Sequence, residues 1–379
     1  MVARPLQGLR VLDFAHLLPG EWVTFWLGQL GADVIKVERP GTARLLGINE
    51  EHPYRAALNR GKRSIVLNLK RADDRAVARR LLAWADVLVE GFRPGVMERL
   101  GLGYEVAREI NPRLIYCSIS GFGQHGPDRM RPGHDNVYLA LTGLLAVHRD
   151  AAGVPRLYPF QLADVGGGTF PALVGILAAL WARERTGRGM HVDVSLMEGA
   201  LAWTYLLLPS LSGGPGVELW LAGLQGQLPC YGIYETQDHH YIALGALEPH
   251  FWAAFCRAVD KLEWQGRAYD PTLREDVARL FRSRTLVDWL GEGGTKGILD
   301  PQQIPVAPVR DLDEVAQDGE LWQRGALVQD EHHRVHPALP LRFDGERPPS
   351  SQDVPAPGEH TKEILSLVRH LQDFPASES

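Results

Sequence analysis

Along the first 120 residues, short runs of β-branched and aliphatic side chains alternate with longer stretches whose apolar positions recur at helical spacing. That alternation predicts a parallel sheet covered by helices, an α/β fold with a Rossmann-like large domain. Strands are expected at Leu9–Phe14, Asp33–Glu38, Ser64–Asn68, Asp86–Glu90 and Leu114–Ser120, and helices at Glu21–Leu30, Asp73–Ala85 and Tyr104–Ile110. Most of these strands run into a polar or glycine-rich turn. In open parallel sheets ligands collect at the carboxyl ends of the strands, so those turns are where binding residues are sought.

Further on, Gly166-Gly167-Gly168 precedes an apolar helix expected at Phe170–Trp181, which the charges and glycines of Glu184–Gly189 close. A strand at Met190–Val194 and an apolar helix at Leu196–Leu208 follow. The glycine, serine and proline content of Pro209–Gln227 reads as a linker. Beyond it, Tyr231–Thr236 and Tyr241–Leu244 pattern as a hairpin, and helices at Phe251–Val259 and Arg274–Arg282 complete a smaller α+β domain. A tail with many prolines leads to an amphipathic helix at Thr361–Leu371. The resulting division is 1–208 for the large domain, 209–227 for the linker, 228–310 for the small domain, and 311–379 for a return segment completing the large domain.

At 379 residues and 45% hydrophobic content the chain can bury a large core, which fits two lobes. Its 40 basic and 46 acidic residues are interspersed and leave a charge of -6, so no general attraction to nucleic acid or to an acidic membrane is expected. An anionic ligand would need a local basic patch. The 3 cysteines, Cys117, Cys230 and Cys256, are widely spaced and suggest neither a disulfide framework nor a zinc site. The first residues lack a secretory pattern, and no apolar stretch reads as long enough to span a bilayer, so a cytoplasmic location is expected.

Among the candidate chemical groups, Asp164 stands beside the glycine run and the apolar helix. There the helix dipole and free amides of Val165–Gly168 would stabilise an anion, and bare glycines would let a substrate approach the backbone. The competing reading is a simple helix cap. His134, in Pro132-Gly133-His134-Asp135-Asn136, precedes an apolar helix at Val137–Leu145 and is a candidate acid/base group, with Asp135 expected to cap that helix. Glu248 follows an apolar strand and is either a partner for a histidine or a first-turn acid. Arg39, Lys70, Arg93 and Arg99 sit after strands and together suit phosphate oxygens. Gly121-Phe122-Gly123-Gln124-His125-Gly126 has dinucleotide-site spacing but opens no helix, so that site is weakly supported.

Taken together, these residues resemble the family III CoA-transferases and their α-methylacyl-CoA racemase branch. The likeness runs from Leu6-Gln7-Gly8-Leu9-Arg10-Val11-Leu12-Asp13 through Gly31-Ala32-Asp33-Val34-Ile35-Lys36-Val37-Glu38-Arg39-Pro40-Gly41 and Asn59-Arg60-Gly61-Lys62-Arg63-Ser64. It continues through Phe92-Arg93-Pro94-Gly95 and Asn111-Pro112-Arg113-Leu114-Ile115-Tyr116 to Ser120-Gly121-Phe122-Gly123. The resemblance implies that Arg39, Leu67, Asn68, Leu69, Lys70, Gly91, Phe92, Arg93 and Arg99, with Gly133 and Asp135, hold coenzyme A. Relatives often carry asparagine where Gly91 stands. It also implies that Asp164 is the acting carboxylate and that two ring-like chains interlock as a homodimer.

Two chemistries follow from the same aspartate. In a racemase or epimerase of 2-methylacyl-CoA thioesters, Asp164 exchanges the α-proton on one face, and His134 with Glu248 serves the other. In a CoA-transferase, Asp164 attacks the thioester and passes through an aspartyl-CoA intermediate. The Gly133-His134-Asp135 and Gly245-Ala246-Leu247-Glu248-Pro249 motifs favour the racemase. A catalytically inactive CoA-binding module is the third reading. Neither chemistry calls for a metal or for a cofactor beyond the coenzyme A of the substrate.

Overall fold

The computed structural model describes residues 4–41, 53–150, 152–214, 216–292, 296–351, 353–369 and 371. The chain forms two compact units, one from Met1–Leu206 with Glu320–Ser379 and one from Leu207–Gly319.

The first unit is built on a parallel sheet of strands β1 (Arg10–Asp13), β2 (Asp33–Glu38), β3 (Arg63–Val66), β4 (Val87–Glu90), β5 (Ile115–Ser120) and β6 (His191–Ser195), in the order β3-β2-β1-β4-β5-β6. The α/β, Rossmann-like expectation holds. Every residue of β4 and β5 is buried, as a sheet covered on both faces requires. One core joins Leu12, Ile35, Ile65, Leu88 and Tyr116 of the strands to Leu81 and Leu82 of the helix Ala72–Trp84 and to Ile364 and Val368 of the helix Thr361–Val368. The helix Thr361–Val368 thus joins the same hydrophobic layer. Strand order reverses between β1 and β4, which opens a crevice at their carboxyl ends.

That crevice has a charged floor. Asp13, at the end of β1, accepts hydrogen bonds from Thr24 Oγ1 at 2.6 Å, Lys62 Nζ at 2.9 Å and the Ala15 amide at 2.9 Å. Lys36 of β2 pairs with Glu21 at 2.5 Å and donates to the Ala15 carbonyl at 2.8 Å. Burial would raise the Asp13 carboxyl, but Lys36 and Lys62 outweigh it and hold the group below its ordinary value. The cluster pins the turn that carries His16.

The helix bearing Asp164 begins at Leu162, eight residues before the position expected from sequence, and continues to Thr186. This 25-residue helix is long and apolar enough to cross a membrane by length and composition, contrary to the expectation that no stretch would be, a property that the core helix of a soluble protein can share. One side packs on β5 and β6. Along the other, Phe170, Val174, Leu177 and Trp181 are exposed.

The second unit centres on an antiparallel sheet of β7 (Tyr231–Glu235), β8 (Tyr241–Gly245) and β9 (Val306–Pro308), with β8 in the middle. Trp252, Phe255, Phe281 and Trp289 fill its core, and the indoles of Trp252 and Trp289 donate to the carbonyls of Trp264 and Phe281 at 2.8 and 2.9 Å. The expected linker 209–227 holds the helix Val217–Leu224 and the end of the helix Leu207–Ser210, and both helices belong to this unit.

Candidate active site

Asp164 occupies the first turn of Leu162–Thr169, which is wound as a π-helix before the chain tightens into the α-helix Phe170–Thr186. The three glycines lie inside this segment and face the helix Leu196–Ala202. A methyl group on Gly166 would meet the Trp203 indole at 2.8 Å, one on Gly167 the backbone carbon of Gly199 at 2.8 Å, and one on Gly168 would collide with the Leu196 side chain. Their missing side chains therefore serve close helix packing, where substrate access had been expected.

The first amides of this helix are already satisfied. Asp135 Oδ1 accepts the N–H groups of Ala163 and Asp164 at 2.7 and 2.9 Å, and the Val165 amide donates to the Gln161 carbonyl at 3.0 Å. The expected open anion site at Val165 is thus closed by internal bonds. Asp135 was expected to cap the helix that follows it. Instead it is the first residue of Asp135–Leu141, with His134 at the capping position and making no side-chain cap bond, and its carboxylate caps the Asp164 segment. Sequence reasoning had no access to this pairing across 29 positions.

Asp164, His134 and Asp135 line one cavity of about 380 Å³ with Leu157, Tyr158 and Phe160. Burial, and then the like charge of Asp135, push the Asp164 carboxyl up to about 7. Burial raises Asp135 as well, against the pull of the two amides. Two tyrosines that sequence reasoning did not single out feel the Asp164 charge, Tyr54 and Tyr138, and Tyr138 also feels Arg93. Gly121 and Gly133 make room for Tyr138, since a methyl on either would lie within 2.6 Å of its ring or hydroxyl. The spacing of four from His134, at the capping position, to Tyr138 in the helix was the available signal.

A second cavity, about 270 Å³, lies at the carboxyl ends of the first strands and is lined by Phe14, His16, Arg39, Leu67, Asn68, Leu69, Lys70 and Phe92. It gathers most of the residues expected to hold coenzyme A. Burial and the neighbouring Lys36 hold His16 down to about 4, so its ring is neutral and presents an edge to Phe92 with centroids 5.3 Å apart. His16 follows β1 at the switch point, a position the strand-end rule points to. Gly91 and Arg93 flank Phe92. A methyl on Gly91 would rest 3.8 Å from the Ile119 carbonyl, ordinary contact, so the turn itself does not demand glycine. Arg99 lines a different cavity, of about 670 Å³, with Glu98, Tyr104, His125 and His191.

Glu248 belongs to the second unit, at the capping position of the helix Pro249–Ala258, where its carbonyl accepts the amides of Phe251 and Trp252 while its exposed side chain makes no cap bond. Among the described residues no group of three His, Cys, Asp or Glu is placed to hold a metal ion.

Residues 6–361 match CoA-transferase family III. The chain belongs to that family. It is 36% identical to human alpha-methylacyl-CoA racemase over 371 residues, covering 95% of this chain and 92% of that one. It is also 35% identical to acetyl-CoA:oxalate CoA-transferase of Acetobacter aceti, covering 90% of each. A crystal structure of a CaiB/BaiF family protein from Brucella suis superposes with a TM-score of 0.79 at 27% identity, covering 96% of this chain and 99% of that one. As a member of CoA-transferase family III the protein is an enzyme, a racemase or a CoA-transferase.

Proposed function

We propose that this enzyme interconverts the epimers of 2-methylacyl-coenzyme A thioesters. The observation that carries the reading is the Asp164–His134 cavity, in which a carboxyl raised to about 7 shares one lining with an imidazole. The Asp164 carboxyl can then gain and lose a proton near neutral pH, with the imidazole as the second acid/base group. The ionised member takes the α-proton, leaving an enolate conjugated with the thioester carbonyl, and the protonated member returns a proton to the opposite face. One proton leaves and one arrives, so the product differs only in configuration. Arg39, Lys70 and the Gly91–Arg93 turn hold the coenzyme at the strand ends.

The similarity to an acetyl-CoA:oxalate CoA-transferase supports the second reading, in which the ionised Asp164 attacks the thioester carbonyl and expels the coenzyme thiolate. Incubation with a 2-methylacyl-CoA in deuterated water, with and without a carboxylic acid acceptor, separates the two. Acceptor-independent deuterium at the α-carbon supports epimerisation. Coenzyme movement only when acceptor is present supports transfer and overturns the first reading.

The proposal includes a cytoplasmic homodimer that uses no cofactor beyond the coenzyme of its substrate. The exposed stripe of Phe170, Val174, Leu177 and Trp181 supports subunit contact, because an apolar surface of that kind is favoured when covered.

A further inference from the structure

Glu90 ends β4 one residue before the Gly91–Arg93 turn, and it is only 4% exposed. Burial pushes its carboxyl up to about 7, against hydrogen bonds from Ser118 and the Phe92 amide and with help from Glu98 and Asp193. The Phe92 N–H donates to Oε2 at 2.8 Å, and Ser118 stands directly opposite Glu90 in the parallel register of β4 and β5, where its hydroxyl lowers the pKa of the same carboxyl. Ser118 Oγ lies 2.9 Å from His191 Nε2 on β6. His191 stacks on Tyr104 with centroids 4.9 Å apart, and both rings line the 670 Å³ cavity that holds Arg99. Burial lowers the His191 pKa, so the ring is neutral at neutral pH.

We propose that Glu90 is a positioning residue of the coenzyme turn, and that it works within a hydrogen-bonded chain through Ser118 to His191 whose direction reverses with the proton on the carboxyl. The proposal rests on the coenzyme reading of that turn. A serine hydroxyl has one hydrogen, which fixes the logic. When Glu90 is ionised it can only accept, so Ser118 donates to it and His191 donates Nε2–H to Ser118. When Glu90 is protonated it donates to Ser118, Ser118 donates to a bare Nε2, and the ring proton sits on Nδ1. The carboxyl takes its proton from solvent, and the ring exchanges one N–H for the other with no change of charge. Oε2 remains the partner of the Phe92 amide in both states but accepts more strongly when charged. The state of Glu90 therefore sets how firmly Phe92, and with it Gly91 and Arg93, is held. Glu98 and Asp193 face Glu90, while Asp193, His125, Glu98 and Glu105 face His191.

Histidine-selective nitrogen NMR on the coenzyme-free enzyme reads the His191 tautomer directly. The expected result is Nδ1–H below about pH 7 and Nε2–H above it. Glu90→Gln, whose amide donates to Ser118 as the neutral acid does, is expected to keep Nδ1–H throughout, and Ser118→Ala is expected to abolish the switch. A wild-type tautomer that does not change, or a switch that survives in Ser118→Ala, overturns the chain. Titration with free coenzyme A reads the turn. Glu90→Ala is expected to weaken binding by about tenfold and to raise KM more than it lowers kcat, with Glu90→Gln recovering most of the affinity. Unchanged affinity in Glu90→Ala overturns the positioning role. Failure of the wild type to bind coenzyme A would overturn the reading of the turn itself, whereas the tautomer measurement, made without coenzyme, decides the chain independently.

Discussion

Two carboxylates of the same unit, Asp13 fully buried and Asp164 half-buried, sit in opposite electrostatic settings. Asp13 faces Lys36 and Lys62 and is held below its ordinary value, while Asp164 has Asp135 as its charged neighbour and is raised to about 7. Burial is the largest influence on both, so the sign of the result comes from the company each keeps. A carboxylate matched by cations serves the fold. One left without them is poised to exchange a proton, and the contrast marks where chemistry is affordable.

The strongest way to break the comparison is Asp164→Asn. Turnover is expected to fall by about 10²–10⁴-fold, measured by α-deuterium exchange or by coenzyme transfer. Stability should move the other way. A carboxyl whose folded pKa is raised loses stability as pH climbs from its unfolded value to about 7, so the neutral variant should be the more stable above that pH, by on the order of 1–4 kcal/mol in urea titrations. Asp13→Asn should do the reverse, costing about 3–5 kcal/mol of stability because it leaves buried lysine charge unmatched. A stability loss from Asp164→Asn as large as that from Asp13→Asn would erase the distinction.

His134→Ala tests the two-face mechanism, and is expected to slow exchange from one enantiomer about tenfold or more relative to the other. Equal losses would leave the opposing base unsupported. Asp135→Asn keeps an acceptor for the two amides but removes the charge. The acidic limb of the pH–rate profile should therefore shift to lower pH, yet stay above the ordinary carboxylate range because burial remains the larger cause. Smallest are Arg39→Ala and Lys70→Ala, each expected to weaken coenzyme A binding by roughly threefold to tenfold at low salt and less at high salt. Salt-independent losses would argue against phosphate contacts.

The strands were legible because parallel-sheet strands write themselves as apolar runs ending at turns. The observed β2 has the expected limits, Asp33–Glu38, and β5 differs from expectation by one residue at its start. Strand-end logic also located Arg39 and Lys70, which line one cavity with Leu67, a residue the family resemblance supplied. The start of the Asp164 helix was not legible. Glycine runs ordinarily argue against helix, and what permits one here is the close backbone of Gly199 and Ala200, a tertiary contact with no local signature. The Asp135 cap was hidden for the same reason, since its partners lie in another segment. Leu196–Leu208 patterns as one helix but breaks after Ala202, and the apolar run expected at Val137–Leu145 breaks at Gly143, whose φ of 82° no α-helix accommodates.

The π-wound turns around Asp164 also define a route by which this site could have arisen, or could be lost. A π-helix is an α-helix with an extra residue accommodated in its turns, so the segment stands one deletion away from regular winding. Removing a single glycine from Gly166–Gly168 would leave every side chain discussed here in the sequence. Each residue in an α-helix advances by about 100°, however, so the deletion would swing Asp164 around the axis relative to the anchored part of the helix. A gene that drifted by three nucleotides there would encode all the same catalytic groups, aimed at different neighbours.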